Sequence, residues 1–169
     1  MKKILIALET GKNEQACFRR IAEAAGVPCE FVFTTPGEAT PDQVAEAAFI
    51  VGNVPPRMIA GSENLDVLQL FSAGADPYMV PGVLSEKTLL CNATGAYGLA
   101  VSEHAFALTM MLIKKLHLYA ASRSHACWED RGPVTSLSES TVVVVGLGDI
   151  GLCYALLVKA MGARVIGVK

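Results

Sequence analysis

Thr141-Val142-Val143-Val144-Val145 is β-branched throughout and runs straight into Gly146-Leu147-Gly148-Asp149-Ile150-Gly151. Such a run suits a strand buried on both faces of a parallel sheet. Leu152 to Met161 then reads as a helix, Gly162 as its stop and Arg164 to Val168 as the next strand. A GxGxxG alone says little. Between a strand and a helix it is the fingerprint of a dinucleotide-binding turn. Gly146 permits the tight turn, Gly148 lets a pyrophosphate approach the backbone, and Gly151 lets the helix pack on the strand. The helix N-terminus offers unpaired N–H groups and a positive dipole end to the phosphates. The candidate cofactor-binding residues are therefore Gly146, Leu147, Gly148, Asp149, Ile150 and Gly151, and the cofactor is NAD or NADP. About 20 residues beyond such a turn, an acid normally holds the ribose hydroxyls. Here Lys169 stands at that position. A cation suits a 2′-phosphate, which tilts the choice toward NADP; the other reading of Lys169 is a solvated residue with no ligand.

Upstream of this block, strand and helix signals alternate. Lys3–Leu8, Cys29–Thr34, Phe49–Gly52, Val67–Phe71 and Thr88–Cys91 read as strands. Asn13–Ala25 has helical spacing, with Gly26 and Pro28 closing it. Thr40-Pro41-Asp42-Gln43 carries three helix-start signals: a capping Thr, Pro at the first position and Gln at the third. Alternation of this kind implies an α/β fold with a parallel sheet. Gly95 and Gly98 make a hinge, and Ser102 is placed to cap a long helix running to about Ser122. Its segment Ala105–Ile113 is apolar nearly all round, so the helix is expected to be buried on more than one side. A helix wedged between domains or between subunits has this character; a homodimer through the helix 102–122 is expected, with Phe106, Met110 and Ile113 in or beside the interface.

Composition closes off several classes. Across 169 residues the net charge is −2 and 52% of residues are hydrophobic. That excludes a disordered polyelectrolyte and leaves no basic face for nucleic acid. The apolar stretch Ala105–Ile113 ends at Lys114-Lys115, far short of the roughly 20 residues of a membrane span. Five scattered cysteines without CxxC spacing fit reduced thiols in the cytoplasm and hold no metal site.

Taken together, three blocks make the chain resemble the D-isomer-specific 2-hydroxyacid dehydrogenases. Leu68-Gln69-Leu70-Phe71-Ser72-Ala73-Gly74-Ala75-Asp76 is similar to that family's substrate loop. Cys91-Asn92-Ala93-Thr94-Gly95 through Val101-Ser102-Glu103-His104-Ala105 is similar to its crossing into the nucleotide domain. The block 146–151 is similar to its dinucleotide fingerprint. The resemblance implies a flavodoxin-like substrate domain over residues 1–98, then the first βαβ of a Rossmann NAD(P)-binding domain over 99–169. It implies an oxidoreductase that moves hydride between NAD(P)H and a small 2-oxo or 2-hydroxy acid. It also implies a carboxylate site on the main-chain amides of Ser72, Ala73, Gly74 and Ala75. Small residues there leave amides accessible as an anion-binding nest. Tyr97 departs from a frequent asparagine and is a further candidate substrate-binding residue.

No catalytic residue is assigned. The resemblance places the acid–base histidine, its orienting carboxylate and the substrate arginine beyond residue 169. His104 and His117 fall within the long helix, and His125 falls in a loop beside Arg123. The 169-residue chain alone is therefore expected to be inactive. The alternative is a non-catalytic module that binds a dinucleotide or an oxo acid.

Overall fold

The computed structural model describes residues 1–169 as two compact units, 1–94 and 95–169. The first unit holds β1 (Lys2–Ala7), α1 (Lys12–Ala24), β2 (Cys29–Thr34), α2 (Pro41–Glu46), β3 (Phe49–Val51), α3 (Pro56–Ile59), β4 (Val67–Gln69) and β5 (Leu89–Cys91). The five strands form one sheet in the order β2-β1-β3-β4-β5, and every pairing is parallel. This is the flavodoxin-like order, whose direction of progression reverses between β1 and β3.

Register explains the core. Leu5 lies opposite Val32 and Ile50, and Ile50 opposite Leu68. This row, with Ala7 and Leu70, packs against Val44 of α2 and Ile59 of α3. The alternate row, Ile4 with Phe31 and Phe49, shows its side chains to the other face. There Phe18 of α1 meets Phe31 and Phe33 at ring separations of 6.4 and 6.2 Å. The start of α2 is a capping box, with the Gln43 N–H donating to Thr40 Oγ1 and the Thr40 N–H to the Gln43 side chain.

The second unit holds α4 (Gly98–Ile113), α5 (Leu116–Ser124), β6 (Thr141–Val145), α6 (Asp149–Ala160) and β7 (Arg164–Val168). β6 and β7 pair in parallel, Val142 opposite Val165 and Val144 opposite Gly167. Their inner face, with Leu137, Val158 and Ala163, packs against Phe106, Met110 and Ile113 of α4. The Tyr154 and Thr109 hydroxyls, 2.7 Å apart, tie α6 to α4.

Three expectations are corrected here. The helix expected over 102–122 is two helices. It begins at Gly98, and Ser102 lies buried inside it, donating to the Leu99 carbonyl at 2.8 Å rather than capping. It breaks at Lys115, which adopts a left-handed φ of 56° and starts α5. The Lys115 ammonium donates to the Arg131 carbonyl, so the kink is anchored to the loop after α5. Phe106, Met110 and Ile113 face the unit's own core, while Leu108 and the 58% exposed Leu112 form the outward side of α4. β6 is covered on one face only: Val144 is buried, whereas Val143 and Val145 are 57% and 81% exposed. No helix is long and apolar enough to cross a membrane.

Candidate functional site

In the first unit, the candidate residues Ser72–Ala75 follow β4 at the carboxyl edge of the sheet, where doubly wound folds place ligands. The carbonyls of this loop are tied down one after another. Ser72 C=O accepts the Ala93 N–H at 3.0 Å, Ala73 C=O accepts Asn92 Nδ2 at 2.7 Å, and Gly74 C=O accepts the Ser72 hydroxyl at 2.8 Å. Ala75 C=O accepts the Tyr78 N–H at 2.9 Å. The amides of Ala73, Gly74 and Ala75 donate to no group of the chain. A peptide plane holds its C=O and N–H in opposite directions. Carbonyls tied down within the protein therefore turn the following N–H groups outward, the kind of arrangement that makes an anion-binding concavity.

Asn53, just past β3, is a member of this cluster that sequence reading missed. Its Oδ1 accepts the Phe71 N–H at 3.0 Å, and its Nδ2 donates to Ser72 Oγ at 2.8 Å. It reaches the loop because Gly52 lets β3 leave the sheet tight against β1. Gly52 has φ +129°, and a Cβ there would overlap the Ala7 carbonyl oxygen. The Gly52-Asn53 pair at a strand end was the available signal, but its meaning depends on β3 and β4 being neighbours. Asn92 stood within the resemblance, yet its hold on the Ala73 carbonyl was likewise invisible in the sequence.

In the second unit, the glycine turn bridges β6 and α6. Gly146 has φ +91°, and its N–H donates to the Val168 carbonyl at 2.7 Å. Lys169, exposed at the end of β7, thus follows directly on the residue paired with the turn. Gly148 is the N-cap of α6 in extended conformation, and a Cβ there would meet open space. At Gly151 a Cβ would overlap the Gly146 carbonyl oxygen, so helix and turn touch through backbone alone. The helix therefore begins inside the motif, three residues earlier than its apolar pattern indicates. Its first N–H groups point out over Gly148 with no intrahelical acceptor. Leu147 folds the other way, across Gly167 of β7, where a Cβ would lie 2.5 Å from its Cδ1. This cradle fits a pyrophosphate: open at Gly148, closed at Gly151, and edged by donors.

Asp149 puts a carboxylate in the first turn of α6. It leans away from the cradle onto the start of α4, where a Cβ on Gly98 would overlap its Oδ1. Both helices of the pair thereby begin against the same acid. Tyr97 is the N-cap residue of α4. His104, His117 and His125 are exposed and form no ion pair with a carboxylate.

Residues 106–169 match the model of the D-isomer specific 2-hydroxyacid dehydrogenase NAD-binding domain. D-3-phosphoglycerate dehydrogenase of Synechocystis sp. is 28% identical over 111 residues, which is 65% of this chain and 20% of the relative. Among solved structures, a D-isomer specific 2-hydroxyacid dehydrogenase family protein from Aeromonas salmonicida has a TM-score of 0.79 at 23% identity, with 99% of this chain and 53% of that one covered. D-lactate dehydrogenase from Aquifex aeolicus, solved with NAD and lactic acid, has a TM-score of 0.76 at 18% identity over 98% of this chain and 50% of that one. The chain spans less than half the length of the curated relatives it matches and about half that of the solved ones. Its α/β architecture with a parallel sheet is that of these dehydrogenases, and over residues 106–169 the chain is similar to the NAD-binding domain of the D-isomer specific 2-hydroxyacid dehydrogenases.

Proposed function

We propose that the chain provides the substrate-binding domain (1–98) and the first dinucleotide-binding βαβ (99–169) of an oxidoreductase acting on a small 2-oxo or 2-hydroxy acid. The observation that carries this reading is the glycine turn, open over Gly148 and closed at Gly151 on the Gly146 carbonyl. Gly146–Gly151 hold the pyrophosphate through backbone N–H groups and the end of α6. Lys169, beside the turn, favours the 2′-phosphate of NADP(H) over the bare ribose of NAD(H). When bound, the nicotinamide supplies or accepts a hydride. The amides of Ser72, Ala73, Gly74 and Ala75 hold the acid's carboxylate, and Tyr97 contributes to the substrate side.

Reduction of an oxo group also needs a proton, commonly from a group poised near neutrality. None of the three histidines here has the orienting carboxylate such a role requires. The steps these residues support are binding steps, and the 169-residue chain is expected to bind without turning over. A homodimer forms through the outward side of α4 and α5, carried by Leu108, Leu112 and Leu116.

Pyruvate titrated into the chain, with and without NADPH, tests the reading by amide NMR. The Ala73, Gly74 and Ala75 signals should shift with pyruvate, and those of 146–151 with NADPH. Shifts scattered over neither segment would refute it. Oxidation of NADH or NADPH at rates of order 1 s⁻¹, as in ordinary enzymes, would overturn the binding-only expectation.

A further inference from the structure

Asn53 touches no candidate ligand atom, yet its side chain is committed at both ends. Its Oδ1 is fixed by the Phe71 N–H, which leaves the amide NH₂ facing Ser72 Oγ at 2.8 Å. A hydroxyl that receives a hydrogen bond on its oxygen must place its own hydrogen elsewhere. The Ser72 hydroxyl places it on the Gly74 carbonyl at 2.8 Å. That carbonyl belongs to the same peptide plane as the Ala75 N–H, so fixing one aims the other. The neighbouring peptides are held by other groups: Ser72–Ala73 by the Ala93 N–H, and Ala73–Gly74 by Asn92. Only the Gly74–Ala75 peptide depends on a rotatable hydroxyl. Without Asn53 the Ser72 oxygen has no fixed donor, and its hydrogen is free to turn toward solvent or toward the anion.

We propose that Asn53 is a positioning residue of the carboxylate site, acting through the Ser72 hydroxyl to turn the Gly74–Ala75 peptide and aim the Ala75 N–H at the bound acid. The inference rests on the carboxylate reading of the loop given above. It adds a residue from a different strand and a direction of action. Asn53 and Ser72 form one relay, so removing either breaks the same contact.

The test is a double-mutant cycle read by pyruvate titration of the full chain. Asn53→Ala and Ser72→Ala should each weaken pyruvate binding about tenfold, the order of one hydrogen bond to a charged group. The double variant should be no weaker than either single one, because members of one network are not additive. The isosteric Asn53→Asp variant keeps the acceptor for the Phe71 N–H, so a loss of binding in it does not come from a freed loop. It has no proton for Ser72 near neutral pH. Its pyruvate affinity should recover as pH falls toward 4 and the acid becomes a donor again, whereas that of the unaltered chain stays flat. Additive losses in the cycle, or binding unchanged in Asn53→Ala and Asn53→Asp, overturn the relay while leaving the carboxylate site standing. An unaltered chain whose loop amides ignore pyruvate removes the carboxylate reading and the relay with it.

Discussion

Two glycines mark where side chains are forbidden, and for different reasons. Gly151 is a packing position: a Cβ there would overlap the carbonyl oxygen of Gly146. Gly52 combines a close approach to the Ala7 carbonyl with φ +129°, a region L-residues rarely enter. Gly52→Ala should therefore destabilise the first unit by more than ~1 kcal/mol, read as a lower urea midpoint at constant slope. The first glycine was legible from sequence because its motif is contiguous. The second was not, since the clash is with a residue 45 positions away that only strand pairing brings near. The same holds for Asn53, whose partners lie beyond the next strand.

Charge at the residue scale gives a pH dependence. The Lys2 ammonium, bonded to Asp66 at 2.7 Å with Lys87 at 3.8 Å, holds that carboxyl below its ordinary range. A depressed folded value means the stabilisation is present above the unfolded value near 4 and is lost as pH falls through the folded value. Asp66→Asn should flatten the acid limb of the stability curve below pH 4 and leave its slope above pH 5 unchanged. An unaltered acid limb would assign that slope to other carboxylates.

Helix ends follow local rules, and local rules are readable. The capping box at Thr40 and Gln43 forms as its sequence indicates, and Thr40→Ala should cost about 1 kcal/mol in thermal or urea unfolding. A loss within measurement error would mean that packing of Val44 alone holds α2. The long apolar segment from Ala105 misled for a physical reason. Its hydrophobicity runs all round, so periodicity could neither show which side faces the core nor reveal the break. The break is set by Lys115, whose backbone turns left-handed while its ammonium is held by the Arg131 carbonyl, 16 residues on. The composition of β6 and its cover differ. Five β-branched residues suit burial on both faces, but the cover provided by α4 and α6 reaches Val142 and Val144 alone.

At the scale of the whole molecule, the alternation of strands and helices carries the architecture. Each crossover is short, so each strand lands beside one already placed, and the order β2-β1-β3-β4-β5 follows with all strands parallel. Leu108, Leu112 and Leu116 are exposed on α4 and the start of α5, and exposed apolar side chains grouped into a patch mark contact surfaces. Sedimentation at micromolar concentration should give a dimer, and Leu112→Glu should give a monomer with an unchanged circular dichroism spectrum. A monomeric unaltered chain would contradict the dimer.

The central claim is that Gly146–Gly151 forms the dinucleotide cradle. Titration of NADPH and NADH by nicotinamide fluorescence, with the unaltered chain beside Gly148→Asp and Lys169→Asp, tests it most directly. Gly148→Asp places a side chain and a negative charge where the pyrophosphate approaches, and binding of both cofactors should be abolished. Lys169→Asp should narrow or reverse a preference for NADPH while leaving NADH bound. Equal binding of both cofactors by the unaltered chain and Gly148→Asp would contradict the account.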